Sequence, residues 1–273
     1  MTIVAISREM GSEGYTIGEA VAKALGFEYV DRQIILEAAQ KYGVPEATLT
    51  AAAERRPSLW GHFDMERSRY LTFLEAAYYT FAAQGNVVTA SRGGPFFVRG
   101  VAHALKVRIT APLAVRVRRI MARDHLEEKA AAAQVRAYDR EAAARVEYLF
   151  GVDWTRAEHY DLVLNTEDAD WSFYTDLLVM AARHPLYQPT PASVRRLHDL
   201  RVAAQVRAAL ATDPRTQNLN LEVTAQAGHV LLKGVVFGPD AMDAALALAR
   251  NVPGVTSVAG EPVPASMYQG PMM

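Results

Sequence analysis

The 273 residues suffice for one large domain and one small one, and 51% hydrophobic with 22% charged residues fits a globular chain. A net charge of −1 excludes a general attraction to nucleic acid, and zero cysteines exclude disulfides, thiolate metal sites and thiol nucleophiles. No apolar run approaches the ~18–20 residues that span a bilayer, and no basic stretch precedes an apolar one at the N-terminus, so a cytoplasmic protein is expected.

The chain opens with Thr2-Ile3-Val4-Ala5-Ile6, a run of apolar and β-branched residues that reads as a buried parallel strand. It runs into the loop Ser7 to Thr16, after which Ile17, Ala20, Val21, Ala24 and Leu25 fall at helical spacing. A strand, a glycine loop and a helix N-terminus form a phosphate cradle. Gly11 and Gly14 permit close approach of an oxyanion, and Thr16 places a hydroxyl where Mg²⁺ or a terminal phosphate can reach it. The pattern G-x-x-x-x-G-K-[ST] is not met: the loop has no lysine, and Arg8 is its only cation. A plain strand–turn–helix connection is the structural alternative.

Further strands are expected at 27–30, 86–91, 106–110 and 161–165, with helical patterns near 15–25, 32–42, 66–84, 112–148 and 170–183. This alternation predicts an α/β fold, a parallel sheet with helices on both faces, and ligands at the carboxyl ends of its strands. Asp31, Ser91, Arg92 and the glycine loop all fall at such ends. Asp31 can accept hydrogen bonds from a sugar or base, or cap the helix that follows. Arg92, between a buried-type strand and Gly93-Gly94, sits where the crevice is expected. Arg116, Arg119 and Arg123 share a helix face, followed by Arg136, Arg140 and Arg145; they can spread over a moving phosphoryl charge or form a solvated face. The stripe Tyr70, Phe73, Leu74, Ala77, Tyr78 and Phe81 reads as core packing. The seven histidines show no ligand spacing.

Residues 185–192, with three prolines between His184 and Pro191, are expected to be an extended linker. Residues 193–262 then read as an α-β-β-α-β module: a helix at 194–211, strands near 219–225 and 230–236 about the turn Ala227-Gly228, a helix near 239–250 and a strand around 254–259. Residues 263–273 are expected to form a frayed tail.

Taken together, residues 1–184 resemble the cytidylate kinase-like family of P-loop nucleoside monophosphate kinases. The motifs are Ser7-Arg8-Glu9-Met10-Gly11-Ser12-Glu13-Gly14, Tyr29-Val30-Asp31-Arg32, Ser91-Arg92-Gly93, the Asp139 and Arg145 of a lid pattern, and Tyr160 to Thr166 as the last strand. Against ordinary cytidylate kinases, Gly14 stands where the loop lysine would be and Glu13 where a glycine would be. Tyr138 and Ala142 replace the lid pattern's first arginine and second aspartate, and Gly93 replaces the aspartate after the turn's arginine.

The resemblance implies ATP and Mg²⁺ as cofactors and phosphoryl transfer to a cytidylate-like nucleoside monophosphate. Gly11, Ser12, Gly14 and Tyr15 would offer amides to the donor phosphates, and Thr16 would hold Mg²⁺. Asp31 and Arg92 would meet the acceptor, and Arg8, Arg119, Arg140 and Arg145 would neutralise the transferring group. A second reading, favoured by Glu13 and the missing lysine, is a nucleotide-binding sensor with weak or no turnover; a third gives the arginines to another phosphorylated small molecule.

The C-terminal module resembles the BON domain through Val202 to Leu210, Gly228 to Val236 and Val252 to Val258. BON modules imply phospholipid contact, ligand sensing or self-association. No basic patch here is strong enough to favour a membrane, and a strand edge pairing two copies into a homo-oligomer is an equal alternative.

Overall fold

The structure, a computed structural model, describes residues 2–54, 61–91, 93–168, 170–236 and 239–262. Strands and helices alternate as β1 (Ile3–Arg8), α1 (Gly14–Leu25), β2 (Glu28–Val30), α2 (Gln33–Tyr42), α3 (Glu46–Glu54), α4 (Gly61–Gln84), β3 (Val87–Ala90), α5 (Gly94–Phe97), β4 (Ala104–Thr110), α6 (Leu113–Asp124), α7 (Glu128–Phe150), β5 (Leu162–Asn165) and α8 (Trp171–Arg183). Five parallel strands form one sheet in the order β2-β3-β1-β4-β5, the doubly covered α/β architecture expected. β1 lies at its centre, and Ile3, Val4, Ala5 and Ile6 are fully buried. Burial on both faces is why its sequence reads as a continuous apolar run rather than an alternating one.

The strand pleat sorts side chains to the two faces. Val4, Ile6, Leu105, Val107 and Ile109 pack with Ile17 and Val21 of α1 and with Leu178 and Ala182 of α8. Arg108, between Val107 and Ile109, turns to the opposite face and lies 4.5 Å over the ring of Trp154. Trp154 clusters there with Phe96 of α5, Ala142 and Val146 of α7, and Tyr160. The single helical stretch expected over 112–148 is two helices. Residue 125 takes the break: His125 adopts a left-handed φ of 54° as the cap of α6.

The described chain divides into two compact units. The first carries the five-stranded sheet. The second joins most of α2, then α3 and α4, to the C-terminal segment from Val194 onward. The C-terminal part starts within one residue of the expected 193; beyond the expected division, segments of α2, α3 and α4 cluster with it, and bonds within the unit hold them there. Arg207 holds Glu75 of α4 through two hydrogen bonds of 2.8 and 3.3 Å, and Arg69 donates to Gln217 at 2.8 Å. Within the same unit, Tyr42 stacks on Phe73 at 4.4 Å.

The C-terminal segment folds as α9 (Pro191–Thr212), β6 (Asn220–Gln226), β7 (His229–Val235), α10 (Pro239–Arg250) and β8 (Ser257–Pro262). β6 and β7 pair antiparallel, and β8 joins β7 in parallel. Ala227 and Gly228, both at positive φ, make the two-residue hairpin. Val202, Val206, Val223, Val230, Leu232 and Ala245 form its core.

The segment 185–192 is not simply extended. Pro185–Tyr187 forms a 3₁₀ turn, and α9 begins at Pro191. Thr190 and Ser193 cap that helix reciprocally: Ser193 N donates to Thr190 Oγ1 at 3.1 Å, and Thr190 N donates to Ser193 Oγ at 2.9 Å. His103 Nδ1 lies 2.8 Å from the same hydroxyl. Residues 263–273 lie outside the described residues. Among the described residues, no helix is long and apolar enough to cross a membrane.

Candidate functional site

The loop between β1 and α1 leaves the carboxyl end of the central strand, as the topology requires of a ligand crevice. Glu9 to Ser12 form a four-residue turn: Ser12 N donates to Glu9 O at 3.2 Å, and Gly11 takes φ +77° at the third position. A Cβ at Gly11 would also stand 2.7 Å from Arg116 O. Both the dihedral and the close approach demand glycine here.

The turn corrects one expectation. The Ser12 amide is committed inside the loop and Ser12 is fully buried, so it offers nothing to a phosphate. The first helical bond of α1 runs from Ile17 N to Glu13 O at 3.0 Å. The amides of Gly14, Tyr15 and Thr16 therefore occupy the first turn, where helical N–H groups have no intrahelical acceptor. Free N–H groups of this kind at a helix N-terminus are the ones able to meet an anion.

Gly14 carries a second constraint. An ideal Cβ at this position would come within 2.6 Å of Arg8 Cβ and 3.2 Å of Arg8 Cδ. The Arg8 side chain thus fills the space into which a residue-14 side chain would grow. Its guanidinium lies between two polar groups, 3.3 Å from Tyr138 Oη on α7 and 3.6 Å from Asp31 Oδ2 after β2.

Beneath the loop lies an ion network that the sequence reading did not find. Glu9 Oε1 accepts from Arg108 at 2.6 Å, and Glu9 Oε2 accepts from Thr110 Oγ1 at 2.5 Å and faces Arg116 Nε at 3.2 Å. Arg116 also donates to Asp139 Oδ2 at 2.7 Å and to Ala111 O at 2.9 Å. Burial pushes the Asp139 carboxyl above its ordinary value, against the opposing pull of the Arg116 guanidinium. Two arginines and two carboxylates balance, which is how buried charges are tolerated. One signal pointed this way: Arg108 stands inside a strand of a sheet covered on both faces, where a charge needs a partner.

Arg119 donates to Gly11 O at 3.2 Å and to Thr166 O at 2.5 Å, with its guanidinium 4.9 Å over the Trp171 ring. Thr166, fully buried, donates to Ser12 O at 2.8 Å and so ties the end of β5 to the loop. The three arginines expected on one face of α6 have different surroundings. Arg116 is buried in the network, Arg119 braces the loop, and Arg123 is largely exposed and paired with Asp124. On α7, Arg140 is exposed and Arg145 is buried. The structure therefore brings Arg8, Asp31 and Arg119 to the loop region. Arg92 lies outside the described residues.

Thr16 Oγ1 donates to Glu13 Oε2 at 2.9 Å, placing a hydroxyl and a carboxylate together at the start of α1. Hard oxygens of this kind suit Mg²⁺. Among the described residues no group of three or more His, Cys, Asp or Glu side chains is placed to hold a metal ion.

The model of the cytidylate kinase-like family matches residues 3–168, which include the loop, β2, α6, α7 and β5. The chain belongs to that family. A BON domain matches residues 198–261. This cytidylate kinase-like chain is similar to the cytidylate kinase of Ignicoccus hospitalis, 30% identical over 167 residues that cover 61% of this chain and 90% of that protein. It is also similar to the cytidylate kinase of Methanosarcina acetivorans, 26% identical over 181 residues, covering 65% and 93%. A solved shikimate kinase from Bacteroides thetaiotaomicron superposes with a TM-score of 0.43 and 14% identity, over 67% of this chain and 99% of that one.

Proposed function

We propose that the chain transfers a phosphoryl group from ATP to a nucleoside monophosphate, with a cytidylate-like acceptor. The observation that carries this reading is the Arg8 side chain lying on Gly14. It would supply a permanent cation to the phosphate loop from the second residue of the loop pattern rather than from the usual lysine position.

Phosphoryl transfer asks the protein for position and charge more than covalent chemistry. The amides of Gly14, Tyr15 and Thr16 would face the donor phosphates, with Gly11 holding the turn. Thr16 would hold Mg²⁺ directly or through water, and the bound ion supplies neutralisation of the phosphate charge. Arg8 and Arg119 would brace the donor side, and Arg140 and Arg145 would contribute from α7. Asp31 would accept from the acceptor's sugar or base, and Arg92 would grip its phosphate. The acceptor's phosphate oxygen is already anionic and attacks without a general base. A bond from that oxygen to the γ-phosphorus forms as the bond to the β–γ bridging oxygen breaks, giving ADP and a nucleoside diphosphate.

The test is incubation of the full chain with ATP, Mg²⁺ and a panel of nucleoside monophosphates, reading ADP and nucleoside diphosphate. Turnover is expected, with Arg8→Gln losing roughly 10²-fold or more, the scale seen when one charge-stabilising donor is removed. ATP binding without turnover supports the sensor reading, which Glu13 favours by adding negative charge beside the phosphates. No nucleotide binding rejects both.

A further inference from the structure

Helix α8 has two apolar sides, and the sheet covers only one of them. Leu178 and Ala182 are buried in the core, with Trp171, Tyr174 and Ala181 packed against it. On the other side Phe173 is 58% exposed and Met180, two turns on, is 66% exposed, with half-buried Leu177 between them. Spacing of i, i+4 and i+7 puts these three in one stripe. Leu186, also 66% exposed, continues the apolar exposure past the helix end, where its N–H donates to His184 Nδ1 at 3.2 Å. Exposed apolar residues scattered singly are ordinary, whereas a run of them along one helix marks a contact surface.

Two charges follow one edge of this stripe. Asp176 is exposed, and among the described residues its carboxylate has no hydrogen bond or ion pair. Arg183, exposed as well, donates to Ala24 O at 3.4 Å. Seven residues apart, about 10 Å along the axis, the two cannot reach each other within one chain. A second copy of α8 laid antiparallel reverses the order, so that Asp176 meets the copy's Arg183 and Arg183 meets its Asp176. Phe173 and Leu186 share the midpoint of that charged pair, and Met180 adjoins it. One two-fold axis beside Met180 therefore matches both pairs at once.

We infer that this face of α8 is the contact surface of a homodimer, with two copies packed antiparallel through Phe173, Leu177 and Met180 and paired through Asp176 and Arg183. Such a contact is isologous, the same patch serving both copies. A lipid surface would favour basic residues along the edge, and Asp176 stands there instead. The patch is small, so the contact falls at the low end of interface sizes, and a dissociation constant on the order of micromolar is expected.

Sedimentation of the full chain from roughly 1 to 500 µM, a range that brackets a micromolar constant, tests it. The mass of wild type is expected to rise from 30.0 kDa toward twice that value. Met180→Glu sets two carboxylates against each other at the axis and should weaken association roughly tenfold or more. Asp176→Arg and Arg183→Asp each oppose like charges and should also weaken it, while the double variant Asp176→Arg/Arg183→Asp restores it. A loss of fold cannot imitate that restoration. Wild type staying at 30.0 kDa throughout would assign the stripe to another occupant and overturn the inference. So would a dimer unchanged by Met180→Glu, or a double variant as weak as either single one.

Discussion

Gly14→Ala tests the packing that places Arg8. Residue 14 is the first of α1, and its φ is not in the positive region, so the backbone accepts alanine. With nothing in the way, the change would stabilise by about 0.4–1 kcal/mol through lost freedom of the unfolded chain. The added Cβ, however, would lie 2.6 Å from Arg8 Cβ, roughly 1 Å closer than carbon atoms settle. Neither side can yield easily, since Arg8 is registered against Ile109 in the sheet and Gly14 is buried. Overpacking of this kind costs about 1–3 kcal/mol. The net expectation is a loss of roughly 1–2 kcal/mol for Gly14→Ala alone. In an Arg8→Gly background the sign reverses and alanine becomes mildly stabilising. Urea unfolding of the four proteins closes the cycle, with a coupling of about 2 kcal/mol expected. Additive effects would refute the claim that Arg8 holds that space. By the same logic, Gly14→Lys alone should not rebuild a lysine loop, whereas Arg8→Gly/Gly14→Lys should regain nucleotide binding.

Three other measurements follow from the geometry. Glu9→Gln leaves Arg108 and Arg116 buried without their shared carboxylate and should lower unfolding stability by about 3–5 kcal/mol in urea titrations. Gly11→Ala meets both a positive φ and the Arg116 carbonyl, and its thermal midpoint should fall further than that of any alanine substitution on the exposed face of α1. Burial lowers the pKa of His103, so the unfolded chain takes up its proton first on acidification. Its contribution is intact above the ordinary histidine value of about 6.5 and is lost as pH falls through the lower folded value. Unfolding curves between pH 7 and 5 should therefore be steeper for wild type than for His103→Gln; parallel curves would contradict this.

The sheet was legible because buried parallel strands announce themselves as unbroken apolar runs, and β1 and β3 did so. α3 was not anticipated: Glu46 to Glu54 is alanine- and threonine-rich and carries no sharp apolar stripe. The break between α6 and α7 hid because a histidine, not a glycine or proline, takes the left-handed cap. In the loop, the glycines and the absent lysine were readable from one short stretch. The Glu9 network was not, because its arginines stand about a hundred residues away, on a strand and a helix whose side-chain directions only the fold fixes. The spacing of Arg116, Arg119 and Arg123 gave their common face correctly but not that one would be buried, one would bond to carbonyls and one would meet water. The expected linker misled because three prolines suggested extension, while Thr190 and Ser193 supply a reciprocal cap that winds its end into α9.

The pairing of Arg207 with Glu75 has a practical consequence for dissecting this protein. Cutting the chain where the kinase-like match stops would strip α4 of its guanidinium partner and of the Gln217 contact to Arg69. A shortened chain made that way would lose part of its own scaffold, so any drop in nucleotide binding or turnover would report damage to α4 before it reported a missing C-terminal module.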